Sequence, residues 1–93
     1  MDYVFVTWTQ NDRSMPSAVY SEIDAARREV RKVEVFADGR YGFASSAASR
    51  PPTQLGLDAV PPLSEIARDR ALETRKGTAA EFEAMWQKAT RGG

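Results

Sequence analysis

Positions 3–9, Tyr-Val-Phe-Val-Thr-Trp-Thr, are all β-branched or aromatic, the composition of a β-strand. Alternation puts Tyr3, Phe5 and Thr7 on one face and Val4, Val6 and Trp8 on the other. Both faces are apolar, which predicts a strand in the interior of a sheet. Residues 10–16 form a polar loop closed by Pro16, and residues 18–23, Ala-Val-Tyr-Ser-Glu-Ile, form a second strand. The next stretch is mixed. Residues 24–29 have helical propensity, yet Val30, Val33, Val35 and Phe36 follow, and Asp38-Gly39 closes the run. Asp-Gly between two β-rich segments is the strongest short-range hairpin signal. The pattern therefore predicts a turn near residues 24–27, a long strand from about 28 to 37, and a return strand over 40–45.

A two-residue turn at Asp38-Gly39 sets a register. Ala37 pairs with Arg40, Phe36 with Tyr41, Val35 with Gly42, Glu34 with Phe43, and Val33 with Ala44. One face of the hairpin then carries Lys32, Glu34, Phe36, Tyr41 and Phe43. The other carries Val33, Val35, Gly42 and Ala44, a flat apolar surface that a helix can approach closely.

Residues 45–52, rich in Ser, Ala and Pro, read as a loop, and Leu55-Gly56-Leu57 as a short edge strand. Pro61-Pro62 stops what precedes it, and Pro62 is placed to open a short helix with Leu63, Ile66 and Ala67 on its apolar side. Residues 71–76 extend that helix or form a further strand, the strand being preferred. Thr78-Ala79-Ala80-Glu81 matches a capping box. The helix that follows, from 79 to about 90, has Phe82, Met85, Trp86 and Ala89 on one stripe, and Gly92-Gly93 stops it. Strands followed by helices predict an α+β fold: a two-layer sandwich of a 3–5 stranded antiparallel sheet with the C-terminal helix packed on one face. Residues 1–93 are expected to form a single domain, with the last helix on the Val33, Val35, Gly42 and Ala44 face.

Composition narrows the chemistry. The chain has no Cys and no His. Disulfides, thiolate nucleophiles and zinc–thiolate sites are excluded, and so is the commonest acid/base group and metal ligand. Thirteen basic residues balance thirteen acidic ones. No apolar run approaches the roughly 20 residues needed to cross a bilayer, and Met1-Asp2-Tyr3 lacks the basic and apolar regions of a signal peptide. A cytoplasmic location with no membrane partner is expected.

Four features carry candidate chemistry. Tyr3, Phe5, Tyr41 and Phe43 lie on two strands, and Arg40-Tyr41-Gly42-Phe43-Ala44 is compared with the RNA-recognition signature in which sheet aromatics stack on bases. Here the basic residue and the first glycine are exchanged, and zero net charge supplies no general attraction for phosphate. Nucleic acid is not the expected partner, and core or partner-facing aromatics are the preferred reading. Arg27, Arg28, Arg31 and Lys32 form a basic cluster. With Glu22, Glu29 and Glu34 nearby, it reads as a cross-strand charge ladder. Arg91-Gly92-Gly93 is similar to the di-glycine end of ubiquitin-like modifiers, but it follows a capped helix, where glycine is the ordinary stop. Finally, no Ser or Thr has a His or Cys partner, no carboxylate pair sits in an acid/base motif, and no glycine loop cradles phosphate. No catalytic, metal or cofactor-binding residue, and no cofactor, is expected.

Several segments carry a resemblance: Val19-Tyr20-Ser21-Glu22; Arg31-Lys32-Val33-Glu34-Val35-Phe36-Ala37-Asp38-Gly39; Gly42-Phe43-Ala44; the opening Tyr3-Val4-x-Val6-x-Trp8; and the closing Glu81-Phe82-x-x-x-Trp86. Together they resemble a family of small uncharacterised bacterial proteins, a domain of unknown function. The chain departs from that family in residues 25–28 and in a longer loop before Leu55. The resemblance implies no activity. The residues themselves favour a small non-catalytic protein-binding module, of the kind of an immunity or antitoxin-like inhibitor, docking on another protein through Lys32, Glu34, Phe36, Tyr41 and Phe43. The alternatives are a minor enzyme or accessory enzyme domain using carboxylates, and a single-stranded nucleic-acid binder using the sheet aromatics.

Overall fold

In the computed structural model, the residues described are 1–8, 16–49, 53–56, 59–60, 63–66, 68 and 72–91. Chain order is β1 (Asp2–Trp8), β2 (Pro16–Ile23), β3 (Glu29–Phe36), β4 (Tyr41–Ser45), α1 (Leu63–Ile66), β5 (Leu72–Lys76) and α2 (Ala79–Thr90). The strands form one antiparallel sheet in the order β4-β3-β2-β1-β5. Strands β1 to β4 are a meander of successive hairpins, and β5 returns to pair with β1. β1 is therefore an interior strand, as its two apolar faces require, and residues 72–76 take the strand alternative. Helix α2 packs on one face of the sheet, which completes the expected α+β arrangement. Leu55 and Gly56 are not in a strand. The expectations for residues 10–15, 50–52, Leu57, Pro61-Pro62, Ala67 and Gly92-Gly93 fall outside the described residues.

The β2–β3 turn is built on Asp24. Its Oδ1 accepts hydrogen bonds from the N–H groups of Ala26 at 2.9 Å and Arg28 at 3.0 Å, the Asx-turn geometry that short polar side chains favour. Arg27 completes the turn with φ of 62°, a left-handed conformation seldom taken by a residue with a Cβ.

The β3–β4 turn differs from the expected one. Gly39 N–H donates to Phe36 O and Phe36 N–H to Arg40 O, both at 2.9 Å, so the loop has three residues, Ala37, Asp38 and Gly39. Gly39 takes φ of 89°, as the left-handed position of a three-residue hairpin loop requires. The register moves by one residue: Val35 pairs with Tyr41, Glu34 with Gly42, Val33 with Phe43, and Lys32 with Ala44. With a side-chain period of two, that shift turns every β4 side chain to the other face relative to β3.

The face receiving α2 changes accordingly. Phe82 and Ala89 are wholly buried against Phe5 and Val33, with Tyr3, Tyr20, Tyr41, Phe43, Met85 and Trp86 packed around them. Gly42 and Ala44 lie on the opposite face, where Thr53 seats on Gly42 so closely that a Cβ there would overlap Thr53 Oγ1. The helix prefers the aromatic face because the larger side chains there bury more apolar area, roughly 1.5–3 kcal/mol for a residue such as Phe82. Its start follows the sequence pattern. Thr78 Oγ1 accepts from Glu81 N–H at 3.2 Å, and the Glu81 carboxylate accepts from Thr78 N–H at 3.1 Å.

Candidate functional site

Beneath α2, β2 and β3 bring Glu22 and Arg31 side by side. Arg31 Nε and Nη2 donate to the two oxygens of Glu22 at 2.7 and 2.9 Å, and Nη2 also donates to Glu83 of α2. Tyr3 Oη donates to Glu22 Oε2 at 2.8 Å. The guanidinium lies 5.0 Å from the Phe82 ring centroid and 5.1 Å from that of Trp86. The hydrogen bonds from Arg31 and Tyr3 hold the Glu22 carboxyl below its ordinary range against burial, and the bond to Glu22 pushes the Tyr3 phenol up. The network pins the helix to the sheet. Other members of the basic cluster are engaged too: Arg27 Nε donates to Val60 O at 2.8 Å, and Lys32 is bonded to Glu29 and Gln54.

A cleft lies on the face away from α2. Val4, Val6 and Trp8 of β1, Val19 and Ser21 of β2, and Lys32 and Glu34 of β3 point into this cleft of about 620 Å³. Val60, Ala59, Gly56 and Ile66 close its sides. Pairing sets the layout. Glu34, Val19 and Val6 form one row across three strands, and Lys32, Ser21 and Val4 form the next. One flank is thus polar and the rest apolar, the usual make-up of a binding pocket.

The polar flank is largely self-satisfied. Glu29 accepts from Ser21 Oγ at 3.2 Å, from Gly56 N–H, and from Lys32 Nζ at 3.2 Å. Lys32 Nζ also donates to Gln54 O at 2.9 Å. Thr53 Oγ1 donates to Glu34 Oε1 at 2.6 Å. Among the described residues no buried side-chain nitrogen or oxygen lacks a hydrogen-bond partner, and no three carboxylates converge as a metal site.

The five residues assigned to docking divide between the two faces. Lys32 and Glu34 line the cleft. Phe36 shares their face but is only 7% exposed, with the Arg40 guanidinium 5.3 Å from its ring. Tyr41 and Phe43 lie under α2, where Phe43 meets Trp86 edge to face at 5.5 Å. The expected single aromatic face is therefore not formed, because the hairpin register differs by one. Tyr3 and Phe5, the other aromatics of the nucleic-acid comparison, are also on the α2 side. Val6, Trp8, Val19 and Glu29 were not anticipated as site residues. The signal available for three of them was the apolar second face of β1, Val4, Val6 and Trp8, with Val19 of β2.

The chain belongs to a family described as Domain of unknown function (DUF6881), whose model matches residues 2–91. Comparison with curated proteins gives no match, and comparison with solved structures gives none either. No helix among the described residues is long and apolar enough to cross a membrane.

Proposed function

We propose that this member of the DUF6881 family is a non-catalytic protein-binding module whose partner seats in the cleft on the face of the sheet away from α2. The observation that carries the reading is the combination of an apolar floor of Val4, Val6 and Val19 with polar groups already bonded to one another. An apolar floor beside a fixed polar flank suits a protein anchor residue, which gains most of its energy by leaving water. The reading includes a bacterial, cytoplasmic setting and an immunity or antitoxin-like role, in which a small protein blocks a larger one; a cysteine-free chain suits a reducing compartment.

The test is capture of a partner from the host by tagged wild-type protein and by two variants. Val19→Asp places a charge on the cleft floor, and Arg75→Ala alters an exposed residue on the other face. Loss of the captured protein with Val19→Asp, retention with Arg75→Ala, and native circular dichroism for both are expected. Equal capture by a folded Val19→Asp variant would place the interface elsewhere.

A further inference from the structure

The polar flank of the cleft is not fully compensated. Glu29 and Lys32 neutralise each other. Glu34 remains, and its only hydrogen bond among the described residues is the one Thr53 makes to Oε1, leaving Oε2 without a donor on the cleft wall. Among the described residues, two carboxylates against one ammonium leave the flank with a residual negative charge. From Glu34 the row continues through Val19 to Val6, and Ile66 faces it from the side. Val6 lies two strand spacings, about 10 Å, from Glu34.

We infer that the occupant of this cleft is a lysine side chain of the partner protein, its aliphatic stem lying over Val6 and Val19 and its ammonium on Glu34 Oε2. This rests on the protein-binding reading above. The charge complementarity requires a cation at the Glu34 end and apolar surface behind it, and a long amphipathic side chain supplies both. Lysine binds as a point charge and needs only the free oxygen, whereas a bidentate guanidinium would have to share Oε1 with Thr53, as Arg31 shares Glu22 Oε2 with Tyr3, so the arginine arm of the titration decides between the two. Trp8, at the apolar end of the cleft, supplies an indole whose signal reports on occupancy.

The experiment titrates the full chain with acetylated, amidated tripeptides Ala-X-Ala, X being Lys, Arg, norleucine or Glu, and follows the Val6, Val19 and Trp8 resonances by NMR. The lysine peptide is expected to saturate these shifts at lower concentration than the other three, and Glu34→Gln to weaken it at least five-fold while leaving the norleucine peptide unchanged. Norleucine matching lysine, or Glu34→Gln without effect, would overturn the lysine assignment and leave the protein-binding reading standing. Arginine matching lysine would overturn the one-oxygen argument. Equal binding of n-butylammonium and the lysine peptide would mean a site for free amines and overturn a protein occupant. If no probe moves the cleft resonances, the inference fails, while partner capture and its loss in Val19→Asp decide the function separately.

Discussion

Removing the guanidinium of Arg31 is the most informative perturbation of the fold. Arg31→Met keeps most of the stem that packs beside Phe82 and Trp86, but removes both bonds to Glu22 and the bond to Glu83. Glu22 is 5% exposed. In the variant its carboxylate keeps only the Tyr3 hydroxyl. Breaking a buried pair from one side costs about 3–5 kcal/mol, because the surviving charge stays buried and unpaired. The total available to a domain of this length is about 5–14 kcal/mol, so the loss is a large share of it. Urea unfolding followed by tryptophan fluorescence should show a lower midpoint with an unchanged slope. Adding Glu22→Gln removes the stranded charge, and the double variant should be more stable than Arg31→Met alone. The pH dependence gives an independent check. In the wild type the Glu22 carboxyl lies below its usual 4.5, so its contribution is present above that value and lost as pH falls through the lower, folded-state one. Without Arg31, burial dominates and raises it, so the variant's deficit develops as pH rises through the folded value and shrinks toward about pH 4. A penalty below about 1 kcal/mol, or one constant with pH, would mean that the pair behaves like a solvent-exposed one and would refute the argument.

Thr78→Ala should lower stability by about 0.5–2 kcal/mol in urea melts through loss of the N-cap bond to Glu81. Gly42→Ala should cost about 1–3 kcal/mol, because the new methyl displaces Thr53, and the crosspeaks between Thr53 and residue 42 seen in the wild type should weaken in NMR spectra. The Arg75 guanidinium, with the Thr78 cap, holds the Glu81 carboxyl down to about 2 from 4.5. Its support of the α2 start is therefore present above pH 4.5 and lost as pH falls toward about 2, and the amide shifts of Glu81 and Phe82 should report that loss.

The elements themselves were legible in the chain. The β-branched and aromatic run in β1, the Thr78–Glu81 box and the Phe82–Ala89 stripe each appear where local chemistry puts them, because each depends on near neighbours in sequence. The site was less legible, and one turn accounts for much of the difference. Asp38-Gly39 is compatible with a two-residue loop that uses left-handed conformations at both positions and with a three-residue loop that uses one at Gly39 alone. The choice lies partly in tertiary packing. The three-residue loop turns Phe43 toward Trp86 and leaves Gly42 for Thr53, contacts that no local pattern announces. Glu29 is a similar case. It reads as one rung of a charge ladder, yet a register shift between Glu22 and Ile23 places it opposite Ile23, where it meets Ser21 and Gly56 from a distant loop.

The strand order also has a consequence for how the chain reaches this structure. β1 to β4 are joined by successive hairpins, so their pairings close short loops. β5 pairs Arg75 with Phe5, about 70 residues away, and the length-dependent part of closing such a loop is about 4 kcal/mol, against about 1.5 kcal/mol for a hairpin of a few residues. Loop entropy therefore favours forming the meander before β5 pairs, and α2, tied to β5 by the Thr78 cap and the Arg75–Glu81 pair, docks with that strand. Until then the aromatic face of the meander has no cover. In that order of events, a newly made chain is open to self-association between hairpin formation and helix docking.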